Sequence, residues 1–309
     1  MFVVHTLVLI SCYNLTTYTA AVVSRLPFLL QLTIMHFRKI TALSNSKIRG
    51  ALEIKKRRKK HSPHAFLLEG PHLIEMYLQS RCKPVTEFRL AKVFLTADFL
   101  RKKSGQKLLK DLSHETDEIF EVTNTILSQI SDTETPQGII AVGSYRSPAL
   151  SDLRLKEIPL LVVIDQIQDP GNLGTIIRTA DACGSDGIIL FPGTCDVFTP
   201  KTIRATAGSI FNIPVVNTDL NTLKDWAQKK RISIAVAAAR AALSVYTTDL
   251  TQPLAVVFGS EAHGVSTRIR QASSLSLHIP IYGKAESLNV ASAAAVVLYE
   301  TLRQRNRVL

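Results

Sequence analysis

The 309 residues, 46% of them hydrophobic, supply enough apolar material for two ordinary cores and exclude a disordered chain. The net charge of +12 is concentrated in front: residues 1–157 carry 23 Lys+Arg against 14 Asp+Glu, and 158–309 carry 14 against 11. A polyanionic partner suits that balance, which speaks to association rather than to fold.

Residues 1–34 are apolar but broken by Asn14, a run of Thr, Arg25 and Pro27. They fall short of the about 20 predominantly apolar residues of a membrane span, and no positive charge precedes the apolar run as in a signal peptide. The segment reads as a disordered extension or an over-extended start, with Met35 opening the chain proper. The absence of acidic residues before Glu53 is also compatible with an organelle-targeting presequence. Removal of 1–34 is expected to leave a soluble, folded protein.

Residues 38–60 read as a strongly basic helix closing on Lys55, Lys56, Arg57, Arg58, Lys59 and Lys60. Adjacent cations repel, so this run stays solvated, as an exposed helix end or sorting signal would, or meets phosphate. AFLLE at 65–69 reads as a strand, and Gly70-Pro71 starts a helix to about Gln79. Then come a strand at 92–97, an amphipathic helix at 98–112, a strand at 118–122, a helix at 124–131 and a strand at 137–145. These make a small α/β domain, placed at 35–148. The two prolines and absent period of 146–159 mark a linker, assigned to 149–157.

From 158 to 309 the pattern changes to continuous apolar strands. PLLVVID, GIILFPG, IPVV, ISIAVAAA, PLAVVFG and SLHIPI alternate with helices from about 173, around 200–209, at 220–230 and from 288. Strands without polar alternation belong to a parallel sheet covered on both faces. A dinucleotide-binding domain would fit this alternation, but the loop after the first strand reads Asp-Pro-Gly-Asn-Leu-Gly and lacks the G-x-G-x-x-G fingerprint. Cys12, Cys82, Cys183 and Cys195 form no C-x-x-C pair and lie near no His at ligand spacing, so neither a zinc site nor a disulfide framework is expected, and a reducing compartment fits.

Two stretches carry the chemistry: DQIQDPGNLGTIIRTADACG at 165–184, and PLAVVFGSEAHGVSTRIRQASSLSLHIPIYGKAESLNVA from 253 to 291. In the second, two strand ends and a helix start crowd together, exposing backbone N–H and C=O groups of the kind a nucleoside needs. A lone Gly-Ser-Glu is an ordinary strand-exit turn. Followed 20 residues after Gly259 by Ile279 and nine further by Leu288, it resembles the SpoU branch of the SPOUT RNA methyltransferases, over most of the chain after Met35.

That resemblance implies a C-terminal SPOUT-type parallel sheet with a trefoil knot, preceded by a ribosomal-protein-like RNA-binding domain most visible at Glu69-Gly70 and Thr135-Pro136-Gln137-Gly138. It implies methyl transfer from S-adenosylmethionine to a ribose 2′-hydroxyl, in ribosomal rather than transfer RNA, by a cytoplasmic homodimer with no metal and no membrane anchor. Backbone groups at Gly259, Ile279 and Leu288 would hold the cofactor. Asn172, Arg178, Glu261, Ser287 and Asn289 would form the catalytic pocket, and Lys55, Lys56, Arg57, Arg58, Lys201 and Arg204 would meet RNA. Four of them have a plainer role available: Arg178 as a helix-surface cation paired with a carboxylate such as Asp181, Ser287 as a cap of the last helix, Lys201 and Arg204 as solvated charges. His263 reads as a turn residue. An RNA-binding or ribosome-assembly factor that retains the fold without catalysis is the alternative; such a copy is expected to have lost some of the five pocket residues.

Overall fold

The computed structural model describes residues 38–56, 65–80, 87–116 and 118–306. The expectations for 1–34, for Arg57 and Arg58 in the basic run, and for Cys12 and Cys82 lie outside these residues. Residues 40–309 form one compact unit.

The first described element is β1 (Arg38–Ile40), and the front part of this unit then holds α1 (Ser46–Lys56), β2 (Ala65–Glu69), α2 (Pro71–Ser80), β3 (Glu87–Leu95), α3 (Ala97–Arg101), α4 (Lys103–Leu112), β4 (Ile119–Val122), α5 (Asn124–Ile130) and β5 (Ile139–Arg146). Strands β4, β3, β5 and β2 lie side by side in that order. The β2–β5 and β5–β3 pairs are antiparallel, and β3–β4 is parallel. Ile48 of α1 and Ile126 and Leu127 of α5 pack with Phe94, Phe120 and Ile140 of the sheet in one core.

Two expected boundaries change. The basic helix begins at Ser46, not 38, because the Asn45 side chain accepts the Lys47 amide and so caps that start. The single helix expected at 98–112 is two. Thr96 leaves the strand to cap α3, and Lys102 is extended, which separates α3 from α4. The break lets Gly105 come so close to α3 that a Cβ there would lie 2.1 Å from the Phe99 carbonyl oxygen.

The second part contains β6 (Leu160–Asp165), α6 (Pro170–Ala182), β7 (Gly187–Leu190), α7 (Pro200–Thr206), β8 (Val215–Asn217), α8 (Leu220–Lys230), β9 (Ser233–Ala237), β10 (Leu243–Ser244), β11 (Leu254–Gly259), α9 (Thr267–Ala272), β12 (Leu275–His278) and α10 (Val290–Asn306). The seven strands run β10-β12-β9-β11-β6-β7-β8, and every pair is parallel. Every residue of β6, β7 and β11 is buried, which is why these strands read as unbroken apolar runs.

Helix α6 starts at Pro170 rather than near 173. Asp169 caps it by accepting the Asn172 amide at 2.8 Å, and proline fits the first turn, where its missing N–H is not needed. Helix α7 stops at Thr206 because Ala207 and Gly208 take left-handed backbone, at φ 48° and 91°. The last helix starts at Val290, two residues later than expected.

Aromatic side chains tie the two sheets together. Phe66 and Phe88 from the front sheet pack on Phe198 and Phe211, with ring centroids 5.7 and 5.1 Å apart, and the Tyr145 hydroxyl donates to the Val215 carbonyl at 2.8 Å. Arg204 of α7 reaches across as well, with Nη2 2.7 Å from Asp132 Oδ2 and Nη1 3.9 Å from Glu69 Oε2. Glu69, its side chain 5% exposed, also accepts the Ser131 hydroxyl and the Asp132 amide. Arg204 thus acts as a strut between the two sheets, a role its sequence context does not suggest. Arg204→Ala should cost about 1.5–3 kcal/mol, the range for hydrogen bonds to charged groups, and lower the urea midpoint. An unchanged midpoint with weakened RNA binding would return Arg204 to the RNA-contact role.

Candidate active site

A cavity of about 830 Å³ opens at the carboxyl ends of β9, β11 and β12. Its walls are the β9 exit (Ala237 to Arg240), the β11 exit (Gly259 to Gly264), Ile279 and Ile281 after β12, and Glu286 to Val290 before and at the start of α10. That volume lies within the range of small-molecule sites, roughly 300–1,000 Å³. Gly259, Ile279 and Leu288, singled out from sequence, all line it, as do Glu261, Ser287 and Asn289.

The β11 exit is a tight turn, and it closes only because two glycines permit it. A Cβ on Gly259 would lie 2.2 Å from both the Gly264 carbonyl carbon and the Val265 nitrogen, and Gly264 has φ 65°. The Gly264 amide donates to the Ser260 carbonyl at 2.8 Å, and the His263 amide to the Ser260 hydroxyl at 3.2 Å. His263 is therefore a turn residue, as its context suggests. Downstream, the Ser266 amide donates to the buried carboxylate of Asp165 at 2.8 Å, and Arg270 Nε to the Val265 carbonyl at 2.8 Å. Asp165 stands opposite Gly259 in the β6–β11 register, so the central strand itself anchors the turn. The strand run and the Gly-Ser-Glu triplet were visible in sequence; this carboxylate, 101 residues from the amide it holds, carried no local signal.

Three of the expected pocket residues meet although they are far apart in the chain. Asn172 Nδ2 donates to Glu261 Oε1 at 2.5 Å, and Asn289 Nδ2 donates to Asn172 Oδ1 at 3.1 Å. Asn289 Oδ1 in turn accepts the Ala291 amide at 2.9 Å and the Ser292 amide at 3.3 Å. Asn289, not Ser287, is thus the residue that caps the last helix. The relay fastens the start of α6 to the β11 turn and to the start of α10, and each amide side chain uses both its donor and acceptor ends.

Arg178 is placed differently. It lies six residues beyond Asn172 on α6, about 9 Å further along the axis and on another face, exposed and outside the cavity lining. It makes no ion pair among the described residues, and Asp181 instead accepts from Asn212 Nδ2 at 3.3 Å. Of the remaining cations, Lys201 pairs with Asp169 at 3.2 Å, which together with the Asn172 amide holds the Asp169 carboxyl below the usual range, the amide being the larger cause. Lys55 donates to the Gln129 carbonyl at 2.9 Å and to the Ser131 carbonyl, and Lys56 ends α1 exposed.

Burial pushes the thiols of Cys183 and Cys195 up to about 11, so neither is a nucleophile at neutral pH. No group of three or more His, Cys, Asp or Glu able to hold a metal occurs among the described residues. No helix among them is long and apolar enough to cross a membrane.

Comparison with known proteins gives a consistent result. Residues 159–299 match the model of the SpoU rRNA Methylase family, and residues 45–141 match an MRM3-like substrate binding domain. The 23S rRNA (guanosine(2553)-2′-O)-methyltransferase RlmP of Bacillus subtilis is 34% identical over 85% of this chain and 98% of its own length. The AdoMet-bound rRNA methyltransferase from Sinorhizobium meliloti superposes with a TM-score of 0.76 at 27% identity, covering 88% of this chain and 99% of that one. The SpoU methyltransferase AviRb from Streptomyces viridochromogenes, in complex with AdoMet, gives 0.77 at 28% identity, over 85% and 98%.

Proposed function

Because the chain belongs to the SpoU family of rRNA methylases, we propose that it transfers the methyl group of S-adenosylmethionine to a ribose 2′-hydroxyl of ribosomal RNA. The observation that carries this reading is the Asn172–Glu261–Asn289 relay at the rim of a cavity built from strand ends. A non-catalytic factor has no need of the five residues that the family resemblance assigns to catalysis, and this chain has Asn172, Arg178, Glu261, Ser287 and Asn289.

The cavity fits the cofactor. It is large enough for a nucleoside bearing an amino-acid tail, and its β11 wall is a cradle that a single Cβ would fill. Main-chain groups at Gly259, Ile279 and Leu288 would hold the adenine and methionine parts, so substitutions there act through shape. Bound in this way, the cofactor supplies an electrophilic methyl carbon on a positively charged sulfur. The residues of the chain then act by positioning the reactants. A ribose hydroxyl held against the Asn172–Glu261–Asn289 rim would face that methyl carbon. Orientation of this kind supplies roughly 7–11 kcal/mol of a barrier.

Glu261 and the two asparagines fix the rim against which the ribose lies, and Ser287 offers it a hydroxyl. Arg178 orients the phosphate and stabilises the alkoxide as it forms. A guanidinium is a poor base, which favours this electrostatic role over proton abstraction.

Arg178 stands outside the cavity of its own subunit, and it is supported as a catalytic residue only if a second subunit brings it to the neighbouring site. A homodimer is therefore part of the proposal. It also includes residues 35–148 as the part that grips RNA through Lys55, Lys56, Arg57 and Arg58, with Lys201 beside the α6 start, and residues 158–309, after the 149–157 linker, as the part that performs transfer. A knotted C-terminus belongs to the same reading and rests on the family resemblance. A reducing, cytoplasmic setting agrees with the free thiols of Cys183 and Cys195.

The test is methylation of unmodified, transcribed large-subunit ribosomal RNA with radiolabelled S-adenosylmethionine. A methylated 2′-oxygen can no longer attack its phosphodiester, so label should survive alkaline hydrolysis in a dinucleotide. Label confined to mononucleotides, or none at all, would sink the assignment.

A further inference from the structure

Seven large apolar side chains are exposed among the described residues, and four of them, Leu243, Tyr246, Tyr282 and Leu288, belong to one end of the catalytic sheet. Strands β10 and β12 are adjacent and parallel, and the Val245 amide donates to the His278 carbonyl at 2.9 Å. The chain therefore leaves both strands side by side, toward Tyr246 on one and toward Tyr282 on the other. Tyr282 is 96% exposed and Tyr246 50%, and a Cβ on Gly283, next after Tyr282, would meet nothing within 4 Å. Ile281, next to Tyr282, lines the cavity, as do Leu288 and the exposed Arg240, and Lys284 stands exposed two residues after Tyr282.

We propose that Tyr246 and Tyr282 form a stacking platform for unpaired bases of the RNA substrate next to the target ribose, with Arg240 and Lys284 meeting the flanking phosphates. The inference rests on the RNA methyltransferase reading and adds to it a second RNA contact, on the catalytic sheet rather than on the basic front part. A ring left almost wholly in water gains most from a flat apolar partner, and every base presents one. A tyrosine suits this use better than an aliphatic residue, because its ring is rigid and loses little freedom on contact. Position and charge favour RNA over another apolar surface. The patch is continuous with the cavity through Ile281 and Leu288, and both its cations are free of ion pairs among the described residues, so a polyanion can reach them without breaking a contact.

Full-length Tyr282→Ala and Tyr246→Ala proteins, assayed on transcribed large-subunit ribosomal RNA, should show KM for RNA raised about tenfold, the order expected for losing one stacked base. S-adenosylmethionine affinity by calorimetry and mass in sedimentation should be unchanged. Tyr282→Phe, which keeps the ring, should recover the lost affinity. The proposal is overturned by an unaltered KM in both alanine variants, by a phenylalanine variant as impaired as alanine, or by a loss of dimer mass in Tyr282→Ala, which would make this face a contact between two copies of the chain. If the wild-type protein itself transfers no methyl group, the methyltransferase reading fails and takes the platform with it; a wild type that methylates while the variants match it defeats the platform alone.

Discussion

Gly259→Ala is expected to reduce S-adenosylmethionine affinity by roughly tenfold to a hundredfold, corresponding to about 1–3 kcal/mol for overfilling a packed site. The atoms in the way are main chain, the Gly264 carbonyl carbon and the Val265 nitrogen at 2.2 Å and the Gly264 oxygen at 2.4 Å, and no rotamer change can clear them. The Ser260–Gly264 turn must open instead, against its own hydrogen bond and against the Asp165 carboxylate that holds Ser266. Opening it moves one wall of the cavity. Gly283→Ala provides the control, since a Cβ there meets nothing within 4 Å and cofactor affinity should not change. Equal affinities for wild type and Gly259→Ala, measured by calorimetry, would mean that the β11 exit does not touch the cofactor.

How much of this is legible from sequence depends on whether the signal is local. The parallel sheet is, because strands buried on both faces leave unbroken apolar runs, and all of β6, β7 and β11 are buried. Strand ends show where a pocket opens, and the family resemblance singles out Gly259, Ile279 and Leu288 in its lining. The true start of α6 has its signal in Asp169-Pro170, a cap followed by a first-turn proline, which the neighbouring glycines obscure by suggesting a loop. The two-residue strand β10 and the six-residue helix α9 are too short to show a period. The role of Arg204 is beyond sequence altogether, since its partners Asp132 and Glu69 lie 72 and 135 positions earlier and only folding brings them to it. The relay belongs to both kinds. Its three members stand out one by one, whereas their mutual hydrogen bonds, spanning 89 and 117 positions, depend on how the chain returns upon itself.

Arg178→Ala should abolish transfer, by about 10²-fold or more as for removal of one donor to a developing oxyanion, while leaving S-adenosylmethionine affinity nearly intact. The second half of that expectation follows from placement: Arg178 is exposed on α6 and no part of it lines the cavity. The same placement yields a sharper test. If Arg178 serves the cavity of the other subunit, an Arg178→Ala chain keeps a sound cofactor site and lacks only the arginine, whereas a Gly259→Ala chain keeps the arginine and lacks the site. Mixed dimers of the two impaired chains then contain one complete centre, with the cavity from one and Arg178 from the other, and at S-adenosylmethionine too dilute to fill the Gly259→Ala site a substantial fraction of activity should return on co-expression. Activity that stays absent in verified mixed dimers, with each variant folded, would show that Arg178 acts within its own subunit or not at all. Full turnover by Arg178→Ala alone would remove it from the catalytic assignment.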